Sequence, residues 1–213
     1  MERRNAWKTY TQEQLKELDQ INDRYKVCLD EGKTERECIR LTVKEIEKQG
    51  YRNLNDIKGS LKTGDKVYAV CMGKSIAMFR IGKEPLENGM NILGAHIDSP
   101  RIDVKQNPLY ENEELAYLDT HYYGGIKKYQ WVTLPLALHG VICKKDGTTV
   151  TVNIGEKPED PVFGVSDLLI HLAGEQMEKK ASKVIEGENL DLLVGSIPAA
   201  SDDEKEKKEM KDR

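Results

Sequence analysis

Histidine and cysteine are scarce, four each in 213 residues, and neither set falls into a ligand spacing: there is no His-Glu-x-x-His and no Cys-x-x-Cys. A zincin-type helix, a zinc finger and a disulfide framework are left without support. Each cysteine (Cys28, Cys38, Cys71, Cys143) is expected to act as a small buried apolar residue. Long apolar runs are missing too. Nothing approaches the ~20 residues of a membrane span, and Met1-Glu2-Arg3-Arg4-Asn5-Ala6-Trp7 is too polar to open a signal peptide. The expectation is a cytoplasmic protein with no membrane partner. Charge of one sign is also missing: a formal charge of −4, with acids and bases interspersed, gives no electrostatic footprint for nucleic acid. Phenylalanine and tryptophan number two each against nine tyrosines, which suits amphipathic aromatic positions at interfaces or pocket walls.

What is present suffices for one large or two small domains: 38% of residues are hydrophobic and 33% charged. Thr11-Gln12-Glu13-Gln14 has the form of a capping box, followed by Leu15, Leu18, Ile21, Tyr25 and Leu29 at helical spacing as far as Gly32. A second box, Thr34 to Glu37, starts another helix with Cys38, Leu41, Thr42 and Ile46 inward, closed by Gly50 at C′. The two predict a helical hairpin on a sheet face. Val67 to Met72 and Ser75 to Ile81 read as a β-hairpin joined by a glycine turn. Beyond Gln106 the character changes to short strands and turns: Leu115 to Tyr123, Gly124-Gly125, Tyr129 to Cys143, and an Asp146-Gly147 hairpin signal between Val141-Ile142 and Val150 to Val152. Ser166 is placed to cap a short helix over Leu168 to His171, and Leu190 to Val194 reads as a strand. The tail from Ser201 to Arg213 has a capping-box start and i,i+4 ion pairs but only Met210 as an apolar residue, a pattern shared by a charged tail and a frayed helix.

The stretch with most chemistry is Asn91-Ile92-Leu93-Gly94-Ala95-His96-Ile97-Asp98-Ser99-Pro100. Its short apolar run predicts a strand covered on both faces, with His96 and Asp98 at the carboxyl end before a proline that cannot continue a central ladder. Side chains two apart on a strand share a face, so an imidazole and a carboxylate address one point. That suits a metal site in which the histidine binds and the carboxylate orients it. A second reading is a strand-end histidine bonded to its neighbours, with Asp98 and Ser99 opening an Asx-type turn.

Gly94-Ala95-His96-Ile97-Asp98-Ser99-Pro100-Arg101 closely resembles the first metal motif of the aminopeptidase I and aspartyl aminopeptidase family of cocatalytic zinc exopeptidases. Asp119-Thr120-His121-Tyr122-Tyr123-Gly124-Gly125-Ile126 with Trp131, and Asp167-Leu168-Leu169-Ile170-His171-Leu172, resemble two further stretches of it. The match is to about the first half of a family member. The resemblance implies an α/β fold: the N-terminal part of a zinc-peptidase catalytic domain (1–105, helices on a mixed sheet), then a β-rich inserted dimerisation domain (106–213). It implies His96 as a ligand to one of two zinc ions and Asp98 as the catalytic-site carboxylate that orients it. It places on His171 a substrate contact in the partner subunit's active site, within a homo-oligomer of dimers building to a dodecamer. His121 and His139 have no family role and are taken as structural. A cocatalytic site also needs a bridging carboxylate, further ligands and a general-base glutamate. In the family these lie downstream of the insertion, and here no histidine follows His171, while Glu113-Glu114 sits in a polar turn. Two functions follow: a zinc aminopeptidase acting on peptides, of which this chain alone holds at most one weak metal site, or a non-catalytic fragment that interacts through its β-rich domain. Acidic and neutral N-terminal preferences both stay open, the Tyr122-Tyr123-Gly124-Gly125 form of the turn being closer to the aminopeptidase I branch.

Overall fold

The computed structural model describes residues 4–197, so the Ser201 to Arg213 tail lies outside the described residues. The chain divides into two compact units, 1–98 and 99–213.

The first unit is a helical hairpin and a small mixed sheet. α1 (Gln12–Glu31) and α2 (Glu35–Lys48) both begin with the capping boxes legible in the sequence. At α2 the carboxylate of Glu37 does more than the box requires: its Oε2 accepts from the backbone of Lys33 (3.1 Å), the backbone of Thr34 (2.9 Å) and the Thr34 hydroxyl (3.1 Å). A buried charge needs such multiple donors to offset its lost hydration. Gly50, at φ +87°, ends α2 in the left-handed conformation expected at C′. β1 (Arg52–Asn53) runs parallel to β2 (Lys66–Cys71), which pairs antiparallel with β3 (Ser75–Arg80) in the order β1-β2-β3. α2 is tied to this sheet by three long-range bonds. Tyr68 donates its hydroxyl to Glu47 (2.7 Å), Lys66 reaches the Gln49 carbonyl (2.8 Å), and Arg36 reaches the Met72 carbonyl (2.8 Å). Ile39, Ile46, Val67 and Tyr68 are its buried apolar residues.

α1 departs from expectation. Leu15 and Leu18 are half-buried, whereas Ile21, Tyr25 and Leu29 are exposed, because α1 packs chiefly on α2 and leaves the lower part of its stripe open. The cysteines depart as well: Cys28, Cys71 and Cys143 are exposed and Cys38 is half-buried, since three of them fall at element ends where no core is available.

The second unit is built on β4 (Arg101–Asn112), β5 (Leu115–Tyr123) and β8 (Leu192–Gly195), antiparallel in that order. β4 corrects the expected turn region after Gln106. It continues through Pro108 because the register shifts between Val104 and Leu109, and a bulge is where a strand tolerates a residue without an N–H. Its pairing with β5 also draws Arg101 to Val104 into the second unit, so the units part before the composition break near 106. β6 (Leu138–Cys143) and β7 (Thr149–Ile154) form the hairpin signalled by Asp146-Gly147. Val132, Val165, Ile185 and Leu190 make the buried cluster, with Ile102, Ile126, Trp131 and Leu136 packed around it.

The strand expected over Asn91 to Ala95 is absent: 89–100 has no regular structure. Leu93 is 101% exposed and Ile92 82% exposed. A strand apolar on both faces needs a ladder partner, and no strand of the first unit's sheet, which ends at β3, pairs with it. Pro100 precedes β4 instead of terminating a strand. The helix expected over Leu168 to His171 is also absent. Asp167, not Ser166, organises this segment, its Oδ1 accepting from the Leu168 backbone (2.8 Å) and from Gln176 Nε2 (2.9 Å). Helix begins only at α3 (Gly174–Met177).

Candidate metal-site motif and polar groove

His96 and Asp98 meet within the irregular segment. His96 Nδ1 lies 3.1 Å from Asp98 Oδ1 and 3.0 Å from the Asp98 carbonyl oxygen. Both partners are acceptors, so Nδ1 carries the proton and donates to them. Nε2 of the neutral ring is then the lone-pair nitrogen, and it has no partner among the described residues. A carboxylate fixing one imidazole nitrogen so that the other presents its lone pair is the arrangement of a metal-ligating histidine. The pair is open to solvent, with 84% of the His96 side chain and 36% of that of Asp98 exposed.

These residues do not by themselves fit a zinc pair. Among the described residues no group of three or more His, Cys, Asp or Glu side chains is placed to hold a metal ion. One imidazole with an orienting carboxylate is one ligand, whereas a catalytic zinc takes three protein ligands.

His171 belongs to the second unit. It is exposed, in a turn between Ile170 and Leu172, which are also exposed, as are Leu168 and Leu169. The Asp119 to Gly125 stretch is the end of β5 and the turn that follows. Thr120 is buried and donates its hydroxyl to the Leu190 carbonyl (2.7 Å). His121 stacks on Tyr122 (5.3 Å), and the Arg101 guanidinium lies 4.4 Å from the centre of the Tyr123 ring. Gly124, at φ +76°, turns the chain against Pro100. His139 is bonded to Glu156 (2.8 Å). His121 and His139 are thus both engaged by neighbouring side chains.

A feature that the sequence reading missed is a polar groove of about 790 Å³ along the β4 bulge, lined among others by Lys105, Asn107, Tyr110, Asp119, Glu188 and Asp191. Lys105 bridges Asp119 and Glu188, at 2.8 Å each, and these carboxylates hold its ammonium above the usual lysine range. Tyr110 donates its hydroxyl to Asp191 (2.5 Å), whose other oxygen accepts from the Thr120 backbone (3.2 Å). Burial first, and the Asp191 acceptor second, push the phenol upward. The available signal was Asp191 itself, a lone carboxylate inside the apolar Leu190 to Val194 run, which implies a partner waiting in the core.

The sequence profile of the aminopeptidase I zinc metalloprotease (M18) family matches residues 28–213. A probable M18 family aminopeptidase 1 of Clostridium acetobutylicum is 64% identical over 209 residues, 97% of this chain and 45% of that protein. Among solved structures, aminopeptidase I from the same organism is 61% identical with a TM-score of 0.83, over 99% of this chain and 47% of that one. An M18 family aminopeptidase from Thermotoga maritima is 45% identical with a TM-score of 0.86, over 97% of this chain and 44% of that one. The chain therefore spans about half the length of these relatives.

Proposed function

The chain belongs to the aminopeptidase I zinc metalloprotease (M18) family, and on that premise we propose that the protein it represents is a zinc-dependent aminopeptidase removing N-terminal residues from peptides. The observation that carries this is the His96–Asp98 pair, in which the carboxylate engages Nδ1 and leaves Nε2 for a metal. In this reading His96 is one zinc ligand and Asp98 its orienting partner. The remaining ligands belong to the part of the relatives that this chain does not match. Bound zinc supplies Lewis acidity toward the peptide carbonyl and an activated water. We assign 1–105 to the catalytic domain and 106–213 to a dimerisation domain, with the exposed Leu168 to Leu172 turn at a self-association face of a homo-oligomer. His171, displayed on that turn, would contact substrate in the partner's site.

The test starts from the intact mass of the protein isolated from its source, followed by assay with zinc on peptides with N-terminal Leu and Asp. A chain near twice this length that hydrolyses either peptide supports the proposal. In that chain Asp98→Asn is expected to lose about 10- to 100-fold in metal affinity or activity, as orienting partners of ligating histidines do, with His96→Ala losing at least as much. Full activity in His96→Ala overturns the assignment. The lack of a three-ligand cluster among the described residues favours a second reading, a non-catalytic interaction fragment. A single inactive species of the mass encoded here would establish it.

A further inference from the structure

The turn between α1 and α2 places a cysteine on each of the two adjoining helix ends. Cys28 lies in the last turns of α1 and Cys38 in the first turns of α2, placed symmetrically about Lys33 in the connecting loop. Both lean on Gly32. The Gly32 N–H donates to the Cys28 carbonyl (3.0 Å), closing α1, and the Cys38 thiol donates to the Gly32 carbonyl (3.6 Å). A methyl group on Gly32 would stand 2.7 Å from the Cys28 oxygen of α1 itself and 3.1 Å from the Cys38 sulphur across the turn, so the Cys38 side chain fills the space beside Gly32. Burial first, then the carboxylates of Glu37 and Glu35 and the Cys28 sulphur, hold the Cys38 thiol above its usual value.

We propose that Cys28 and Cys38 are a dithiol couple that closes into an intrachain disulfide across the helical hairpin on reaction with a small-molecule disulfide. A disulfide requires Cα atoms within about 7 Å, which in this proposal the equivalent positions on the arms of the tightly turned hairpin satisfy. Cys28 is exposed and reacts first. Its thiolate attacks one sulphur of the reagent, the reagent's S–S bond breaks, and one small thiolate leaves and takes up a proton. The Cys38 thiolate then attacks the Cys28 sulphur of the mixed disulfide. The Cys28–Cys38 bond forms and the second small thiolate leaves, also taking a proton. Two protein thiols lose two electrons in all, and the reagent is reduced to two thiols. The product fastens α1, which has no buried residue of its own, to α2, which is bonded to the sheet through Tyr68 and Glu47. Cys71 and Cys143, both exposed and each at the end of a strand, serve as internal controls.

The experiment uses the full 213-residue chain, reduced and then treated with oxidised glutathione. Free thiols are counted after denaturation, and disulfide-linked peptides are mapped by mass spectrometry. The expected result is a peptide pair joined through Cys28 and Cys38, lighter than the dithiol form by two hydrogen atoms and without retained glutathione at either position. In Cys38→Ser the glutathione should stay on Cys28, and in Cys28→Ser the linked pair should vanish. Closure should quicken as pH rises, since the step needs the Cys38 thiolate. Retention of glutathione on Cys28 in the unaltered chain, or cross-links formed only between chains, would overturn the proposal.

Discussion

Two apolar stretches of similar character end in opposite conditions. Leu115 to Tyr123 becomes β5, paired on one side with β4 and on the other with β8, and its Thr120 is buried with its hydroxyl satisfied. Asn91 to Ile97 is as apolar, yet it is unpaired and largely exposed. The difference is not propensity. β5 finds a strand of the second unit on each side, so both its ladders are completed within that unit. The 91–97 stretch has the composition of a central strand without a flanking strand in its unit. Burial is a property of a pair of surfaces, and a sequence encodes only one of them.

The sharpest way to break this comparison is to truncate one leucine from each condition. Leu190 is 0% exposed among Val132, Val165 and Ile185, so Leu190→Ala should destabilise the second unit by about 2–5 kcal/mol. Leu93→Ala should change stability by less than about 0.5 kcal/mol. Urea unfolding read by far-UV circular dichroism checks both. An equal loss at Leu93 would mean that the 91–97 stretch is packed in solution.

Next in size is the polar network beneath the groove. Asp191→Ala leaves the Tyr110 hydroxyl and the buried Thr120 N–H without their acceptor, a cost of about 1–3 kcal/mol. A pH dependence belongs to the same contact. Because the Tyr110 phenol is raised in the folded chain, its stabilising effect is complete below the unfolded value of about 10 and is lost as pH climbs beyond it. Stability measured across that window should fall with pH, and Tyr110→Phe should flatten the fall.

Much of this was legible where the signal is local. Both capping boxes, Gly50, the β2–β3 and β6–β7 hairpins and the whole of β5 follow from turn chemistry and periodicity over a few residues. The His96–Asp98 contact was legible for the same reason, since the two residues are only two apart, although it forms in an irregular segment and not on a strand. What escaped depends on distance along the chain. Asp191 is joined to Tyr110 across 81 residues, and Lys105 to Glu188 across 83. β4 was hidden by Pro108, whose missing donor argues against a strand until the bulge is seen.

The β4–β5 turn offers a smaller effect, of opposite sign. Glu113 and Glu114 both have positive φ, 52° and 62°, a conformation that suits Asn-Gly in a two-residue hairpin turn and strains a residue with a long side chain. Replacing Glu113-Glu114 by Asn-Gly should stabilise the second unit by about 1 kcal/mol or somewhat more, read as a rise in melting temperature. No gain would mean that the two glutamates have partners that offset the strain.

The smallest effect bears most on function. The His96–Asp98 contact joins an imidazole that is 84% exposed to a carboxylate that is 36% exposed, and exposed pairs of this kind contribute about 0–1 kcal/mol. His96→Ala and Asp98→Asn should therefore leave the unfolding curve of this chain nearly where it is. Local packing does not require the pair, which is the condition of side chains placed for a ligand and not for the fold. Zinc titration by calorimetry completes the argument. One imidazole should give at most a weak single site on this chain, abolished by His96→Ala. Two tightly bound ions per chain would show that the chain already holds the ligands assigned above to the rest of the protein.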